Sequence, residues 1–397
     1  MTRMAVPARR QVNGADVMKI VADENIPLLE AFFSDLGEIV TLPGRAITAA
    51  DVRDADVLLV RSVTRVDASL LEGSAVRFVG TATIGTDHLD TAWLQSKGIR
   101  FFNAPGCNAD SVVEHVLSAL VYLDTFQDFD WLGKRYGIIG HGQIGSRLAQ
   151  VLSKLGCDVR VNDPPLESQG GSGLSSLDEV LACDVISLHV PMIREGEHPT
   201  WHLIGESELA RMQPGTLLIN TSRGGVVDDQ ALLHHVKTGK IQAVLDVFEQ
   251  EPELPAELVR HTALATPHVA GYSLDGKCRG TEMVYQALCT HLGLPVRRKL
   301  GQFLPEPAWR KVSLGQADDI REVTRHLVTA CHDIRRDDRA LRAALGEAER
   351  LPAGEFDRLR KQYPVRRSFG RTRLELKGPS KSLAVKLEAL GFRVKPD

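Results

Sequence analysis

One segment constrains this chain more than any other: Gly137-Ile138-Ile139-Gly140-His141-Gly142-Gln143-Ile144-Gly145. An apolar run enters it and Arg147 to Leu155 leaves it with helical spacing, so a strand turns into a helix across three glycines. Gly140 suits the tight turn, Gly142 lets backbone approach a diphosphate, and Gly145 lets the helix pack on the strand. The free N–H groups and dipole of the helix start then face the phosphates. The next strand, Val159-Arg160-Val161-Asn162, ends on Asp163, 18 residues beyond Gly145. A carboxylate there accepts hydrogen bonds from an adenosine ribose diol and repels the extra phosphate of NADP, so NAD is the expected cofactor. Three glycines at this spacing also occur in phosphate-free turns. The strand before, the helix after and the acid at the next strand end give the pattern its specificity.

The same strand–helix alternation runs through much of the chain. Met18 to Asp23 reads as a short strand, and Val57-Leu58-Leu59-Val60 as a strand buried on both faces. Val76 to Val79, Val185 to Val190, Leu217 to Asn220, Val244 to Val247 and Leu264-Ala265 follow the same plan. Polar loops trail them: Arg61-Ser62-Val63-Thr64, Gly80-Thr81-Ala82-Thr83, Thr221-Ser222-Arg223-Gly224, Phe248-Glu249-Gln250-Glu251-Pro252 and Pro267-His268. Such alternation indicates a parallel α/β sheet, whose ligands bind beyond the carboxyl ends of the strands. Ser111 to Leu123 reads as a long apolar helix joining two α/β units.

The fold class expected is α/β, with two doubly wound parallel-sheet domains of Rossmann type plus a small C-terminal α+β domain. The boundaries expected are a tail over 1–17, a substrate domain over 18–110 and 271–295, a nucleotide domain over 111–270, and a C-terminal domain over 300–397. A length of 397 residues accommodates this at roughly 150 residues per domain. No apolar run approaches the roughly 18 residues of a membrane span. The opening residues, with Arg3, Arg9 and Arg10, lack the apolar stretch of a signal peptide and are expected to be disordered. Six cysteines lie scattered with no Cys-x-x-Cys pair, which suits a reducing cytoplasm and structural thiols; Cys107, in a glycine-rich turn, is the least certain of them.

Arg223, Glu251 and His268 each fall just past a strand end. Oxidising a secondary alcohol to a ketone needs a base for the hydroxyl proton, and histidine, with a reference pKa of about 6.5, fills that role near neutrality. A carboxylate beside it orients the ring, and an arginine fork grips a substrate carboxylate with two hydrogen bonds. Taken singly, each such residue more often belongs to a surface ion pair or a satisfied loop. His88, His115, His141, His189 and the His234-His235 pair compete for attention. His115, on the connecting helix, reads as a packing residue. Adjacent His234 and His235 occupy different helix faces, so no metal site is expected there.

In combination, Asn103-Ala104-Pro105-Gly106, the glycine turn, Arg223-Gly224 with Val227-Asp228, Leu245-Asp246-Val247 with Glu251-Pro252, and Thr266-Pro267-His268 resemble the D-2-hydroxyacid dehydrogenase family. The resemblance spans residues 18–294. It implies that Arg223 anchors the substrate carboxylate, that His268 exchanges the proton and that Glu251 pairs with it. It also implies cofactor contacts at Gly140, Gly142, Gln143, Ile144, Gly145, Asp163, Val190, Thr221, Ser222, Arg223, Asp246 and Gly271, with Asp246 near the nicotinamide amide.

Val60-Arg61-Ser62-Val63-Thr64, Gly85-Thr86-Asp87-His88, Pro105-Gly106-Cys107-Asn108, His268-Val269-Ala270-Gly271-Tyr272, Asp333-Ile334-Arg335-Arg336-Asp337-Asp338 and Gly354-Glu355-Phe356-Asp357 are similar to one branch of that family. That branch oxidises 4-phospho-D-erythronate at C2 with NAD, on the route to pyridoxal 5'-phosphate. The likeness implies substrate contacts at Ser62, Thr83 and Tyr272, and a homodimer formed through the C-terminal domain. A doubly anionic substrate needs more than one cation, which makes Arg61, Arg335 and Arg336 candidates for its phosphate. Two alternatives stay open: another D-2-hydroxyacid substrate such as 3-phosphoglycerate, and an NAD(H)-sensing corepressor on the same scaffold.

From Gly301 onward 21 Lys and Arg stand against 14 Asp and Glu, leaving the remainder at −10 against a whole-chain charge of −3. Such asymmetry can mark nucleic-acid binding, but the segment lacks the interleaved aromatics of single-strand binders. A solvated small domain is the reading adopted, with no nucleic-acid and no membrane partner. Arg321 to Leu345 reads as helical, Arg373 to Leu376 as a strand and Ser382 to Leu390 as a helix.

Overall fold

The continuous apolar runs become the inner strands of two parallel sheets, where both faces are covered and alternation has no purpose. The computed structural model describes residues 11–12, 15–315, 319–377 and 381–395. Of the expected N-terminal tail, residues 1–10 and 13–14 lie outside the described residues. Gln11–Val12 (β1) and Ala15–Asp16 (β2) pair antiparallel.

The chain divides into two units, residues 1–108 with 275–305 and residues 109–274 with 306–397. In the first, Lys19–Asp23 (β3), Glu38–Leu42 (β4), Val57–Val60 (β5), Phe78–Thr81 (β6) and Arg100–Phe102 (β7) form a parallel sheet in the order β4-β3-β5-β6-β7. This is one of the two common doubly wound orders. Helix Leu274–Leu292 returns over it, and two glycines permit the approach. A Cβ on Gly80 would lie 2.4 Å from Val284 Cγ1, and one on Gly280 would lie 2.8 Å from the Ala82 carbonyl oxygen.

In the second unit, Arg135–Ile139 (β8), Asp158–Asn162 (β9), Val185–Leu188 (β10), Thr216–Asn220 (β11), Ile241–Leu245 (β12) and Leu264–Ala265 (β13) form a parallel sheet. Its order is β13-β12-β11-β10-β8-β9, so the winding reverses between β8 and β10. A crevice opens at such a switch point, beyond the strands' carboxyl ends. The expected connecting helix is Ala109–Gln127, buried along most of its length.

The C-terminal segment departs from its expected form in two ways. Residues 321–345 are two helices, Ile320–Cys331 and Ile334–Leu345, because His332 leaves helical geometry (φ −150°, ψ 98°) and Asp333 caps a new start by accepting from the Arg335 N–H. Lys311–Leu314 (β14) is a strand that the sequence reading omitted. It pairs in parallel with Arg373–Leu376 (β15), which pairs in turn with Arg393–Lys395 (β16), a strand likewise omitted. Leu327, Val328, Phe369, Leu374 and Leu387 share one apolar core with Val113, Leu117 and Leu120 of the connecting helix. Leu341, Leu345 and Phe356 join the core on the other sheet face with Leu245 and Leu258. Among the described residues no helix is long and apolar enough to cross a membrane.

Candidate active site

The glycine turn has the stereochemistry a diphosphate needs. Gly140 sits at φ +93°, and a Cβ there would meet the His189 carbonyl oxygen at 2.6 Å. Gly145 is tighter: its Cβ would fall 1.9 Å from the Gly140 carbonyl oxygen. Above Gly142 the space is open, with nothing within 4 Å of a Cβ position. Two glycines are therefore required by packing, and the middle one leaves room where a ligand's phosphates would approach. Helix Gly145–Leu155 starts directly behind, with Gln143 exposed and Ile144 half-buried at its edge.

Asp163 follows β9 and is already engaged. Its carboxylate accepts the His141 N–H at 2.7 Å and the Leu166 N–H at 3.0 Å, tying the turn to the next helix. A carboxylate with two oxygens keeps further acceptor positions for a ribose diol. Among the described residues, three buried polar atoms just past the carboxyl ends of β8, β10 and β11 lack a hydrogen-bond partner: His141 Nδ1, His189 Nδ1 and Thr221 Oγ1. Orphaned groups clustered at one sheet edge fit a site whose polar ligand would complete them. Burial pushes the His189 ring down to about 3, so it is a neutral imidazole. Val190 packs at the rim of the adjoining core, and Gly271 is half-buried in the loop beyond β13.

The titratable residues come from three adjacent strands. Arg223 follows β11, and its Nη1 donates to the Ser222 carbonyl at 2.8 Å. Asn220 shapes this loop: its Oδ1 accepts from both the N–H and the hydroxyl of Ser222, and its Nδ2 donates to the Arg223 carbonyl. A Cβ on Gly224 would lie 2.0 Å from the Phe248 carbonyl, so the arginine loop rests directly on the backbone leading to Glu251. Glu251 is fixed at both oxygens. Oε1 accepts the Phe248 N–H at 3.0 Å, and Oε2 lies 2.8 Å from His268 Nδ1. With the carboxylate ionised, Nδ1 is the donor in that bond, which leaves Nε2 as the ring's accepting nitrogen.

His268 holds a left-handed backbone at φ +55°, uncommon for any residue but glycine. The loop around it is secured by Asp246. Its carboxylate accepts Thr266 Oγ1 at 2.6 Å, the Val269 N–H at 2.8 Å and the Ala270 N–H at 2.9 Å, while its carbonyl accepts the His268 N–H at 2.7 Å. Where the family resemblance sets Asp246 beside a nicotinamide, these bonds give it the further task of shaping the histidine loop.

The sequence reading took His115 for a packing residue and did not reach Asp229. His115 is a member of a buried polar chain: Nε2 lies 3.2 Å from Thr266 Oγ1, and Nδ1 lies 3.1 Å from His332 Nε2. Burial pushes His115 down to about 4. Asp229 accepts the Glu249 N–H at 2.9 Å, and burial pushes its carboxyl up to about 7. Asp228 caps the helix Asp229–Lys237 by accepting the Gln230 and Ala231 N–H groups. Arg335 makes a two-pronged ion pair with Asp333, so its guanidinium is committed to the helix start. Burial pushes the Cys107 thiol up to about 11, as suits a packed residue.

In the first unit, Arg61 and Ser62 follow β5, and Thr83 follows the neighbouring β6. Ser62 is exposed and Arg61 half-buried. Thr83 Oγ1 lies 2.8 Å from Thr81 Oγ1 and donates to the Gly85 carbonyl at 3.2 Å; Thr81 Oγ1 in turn lies 2.9 Å from His88 Nε2.

Residues 121–270 match the D-isomer specific 2-hydroxyacid dehydrogenase NAD binding domain, and residues 303–391 match a domain of unknown function (DUF3410). The chain is 51% identical over 383 residues to an erythronate-4-phosphate dehydrogenase of Marinobacter nauticus, covering 95% of this chain and 100% of that protein. The chain belongs to the D-2-hydroxyacid dehydrogenase family. An erythronate-4-phosphate dehydrogenase of Hahella chejuensis is 50% identical, with coverage of 95% and 99%. Among solved structures, this family member is similar to a D-lactate dehydrogenase from Aquifex aeolicus complexed with NAD and lactic acid. That likeness has 26% identity and a TM-score of 0.57, covering 69% of this chain and 96% of the other.

Proposed function

We propose that this dehydrogenase oxidises 4-phospho-D-erythronate at C2 to (R)-3-hydroxy-2-oxo-4-phosphooxybutanoate, a step on the route to pyridoxal 5'-phosphate. The observation that carries the chemistry is the 2.8 Å contact between His268 and Glu251 at the end of a nucleotide-binding sheet. The substrate follows from near-complete coverage of relatives that bear this activity in their names.

NAD, when bound, supplies the two-electron acceptor for the bond broken at C2. Gly140, Gly142 and Gly145 would receive its diphosphate, with Gln143 and Ile144 alongside, and Asp163 would accept the ribose hydroxyls. Val190, Thr221, Ser222, Asp246 and Gly271 complete the proposed cofactor contacts. His268 takes the C2 hydroxyl proton at Nε2, and the ionised Glu251 favours the imidazolium that results. Arg223 grips the substrate carboxylate and draws charge toward the forming carbonyl oxygen. Ser62, Thr83 and Tyr272 are proposed substrate contacts, and Arg61 a proposed partner of the phosphate.

We place the enzyme in the cytoplasm as a homodimer joined through its C-terminal segment. Support for the dimer comes from three large apolar side chains exposed there, Trp309, Val365 and Val385. Sedimentation of the purified protein tests it, a single monomer boundary at micromolar concentration being the contrary result. For the activity, NADH formation is followed at 340 nm with 4-phospho-D-erythronate, 3-phosphoglycerate and D-lactate in parallel. Turnover is expected to be fastest with the first. Faster turnover of another acid reassigns the substrate, and binding of NADH with no turnover of any acid overturns the enzymatic reading.

A further inference from the structure

His268 keeps a left-handed backbone that its own side chain disfavours, so its surroundings must hold it there. Asp246 does so from the sheet side, through the N–H groups of Val269 and Ala270. A second hold comes from far along the chain. Arg366 is only 4% exposed, and its Nη2 donates to the Ala270 carbonyl at 2.9 Å. Its own carbonyl accepts the Leu274 N–H at 2.8 Å, so one residue holds the loop at two points. The same guanidinium pairs with Glu114 at 3.1 Å, and Glu114's other oxygen accepts the Phe369 N–H at 2.7 Å. Nearby, the Tyr363 ring meets the Tyr272 ring edge-on at 5.7 Å.

We propose that Arg366 is a positioning residue, whose guanidinium, clamped by Glu114, fixes loop 268–274 and with it the imidazole of His268. The segment that Arg366 belongs to, residues 303–391, lies outside the matched NAD binding domain. It therefore serves the site within its own subunit, in addition to any role in assembly. The Glu114–Arg366 pair suits this task because both side chains are desolvated. Their attraction is then little screened, and each group has a single favourable arrangement. A lysine would retain the charge but lose the fork that reaches Glu114 and Ala270 together.

The inference rests on the proposal that His268 moves the substrate proton, and the test separates the two. Full-length variants are assayed for NADH formation from 4-phospho-D-erythronate, with cofactor affinity read by fluorescence titration. Arg366→Met is expected to lower kcat about 10- to 100-fold, as a displaced proton acceptor would. KM and cofactor affinity should stay close to wild type, and Arg366→Lys should recover part of kcat. A folded Arg366→Met with wild-type kcat overturns the proposal. So does a joint loss of kcat and cofactor affinity that Arg366→Lys does not relieve, since that marks a general packing defect. If Arg366→Met fails to fold, Arg366→Lys and Glu114→Gln decide: lowered kcat at unchanged KM supports the proposal, and wild-type kcat in both overturns it. His268→Asn serves as the control. Wild-type turnover in that variant would remove His268 from the chemistry, whereas failure of the Arg366 variants alone would leave the histidine's role intact.

Discussion

The two parallel sheets of this protein are built to nearly the same plan, yet their carboxyl edges carry different chemistry. The five-stranded sheet ends in small hydroxyls: Ser62 after β5 and Thr83 after β6. The six-stranded sheet ends in a glycine turn, a guanidinium and an imidazole–carboxylate pair. On the function proposed above, it is the loop residues and not the architecture that separate a surface that binds from one that also moves a proton. The loops also differ in how they are held. Asp229 and Asp246 brace the second set from buried positions. The hydroxyls of the first lie partly exposed.

The sharpest way to break this contrast is to remove the proposed proton acceptor. His268→Asn is expected to lower kcat/KM by about 10³- to 10⁴-fold, at the upper end of general-base contributions. Cofactor affinity by fluorescence titration should be unchanged. Loss of less than about tenfold would shift the chemistry elsewhere and leave the second edge no more committed than the first.

Next comes the buried scaffolding. Burial raises the Asp229 carboxyl to about 7, well above the ordinary carboxylate value. Its stabilising contribution is therefore complete below about pH 4 and is lost as pH climbs through about 7. Asp229→Asn keeps an acceptor for the Glu249 N–H but cannot ionise. Between pH 4 and 8 the wild type should lose on the order of 3–4 kcal/mol relative to the variant in urea unfolding. The buried His115, depressed to about 4, runs the other way: its contribution is present above pH 6.5 and is lost as pH falls through 4. Parallel pH profiles of wild type and Asp229→Asn would show Asp229 to be a charged, solvated residue.

How much of this was legible beforehand depended on how local each feature is. The glycine turn, Asp163 and the strand-end positions of Arg223, Glu251 and His268 follow from spacing within one strand–helix unit, and the sequence reading reached them. Glu114–Arg366 joins residues 252 apart, and His115–His332 joins residues 217 apart. No periodicity carries such pairs. His115 accordingly read as packing, since burial on an apolar helix looks the same whether or not a partner arrives from elsewhere. β14 was missed because a four-residue strand starting on Lys311 with alternating exposure has too little apolar pattern to stand out. The break at His332 needed the Asp333 cap to be recognised inside a run that otherwise looks continuously helical.

Cofactor choice gives a smaller effect at the second edge. Asp163→Ala removes the charge proposed to disfavour a 2'-phosphate and the proposed acceptor for the ribose diol. The ratio of kcat/KM for NAD over NADP is expected to fall about tenfold or more. Because Asp163 also accepts the His141 and Leu166 N–H groups, Asp163→Asn is the companion variant; it keeps an acceptor while removing the charge. An unchanged ratio in both would move cofactor discrimination to another residue.

The first edge supplies the smallest and most discriminating test. Thr83→Val keeps shape and removes one hydroxyl. That hydroxyl already bonds within its own loop, to Thr81 Oγ1 and the Gly85 carbonyl, so a substrate gains from it only one additional contact. A single neutral hydrogen bond contributes about 1 kcal/mol net, which predicts a roughly fivefold rise in KM for 4-phospho-D-erythronate. Turnover should hardly change, because a hydroxyl in the proposed role would bind substrate and transition state alike. A hundredfold fall in kcat would mean that this edge takes part in the chemical step, and the division between a binding edge and a proton-moving edge would be lost.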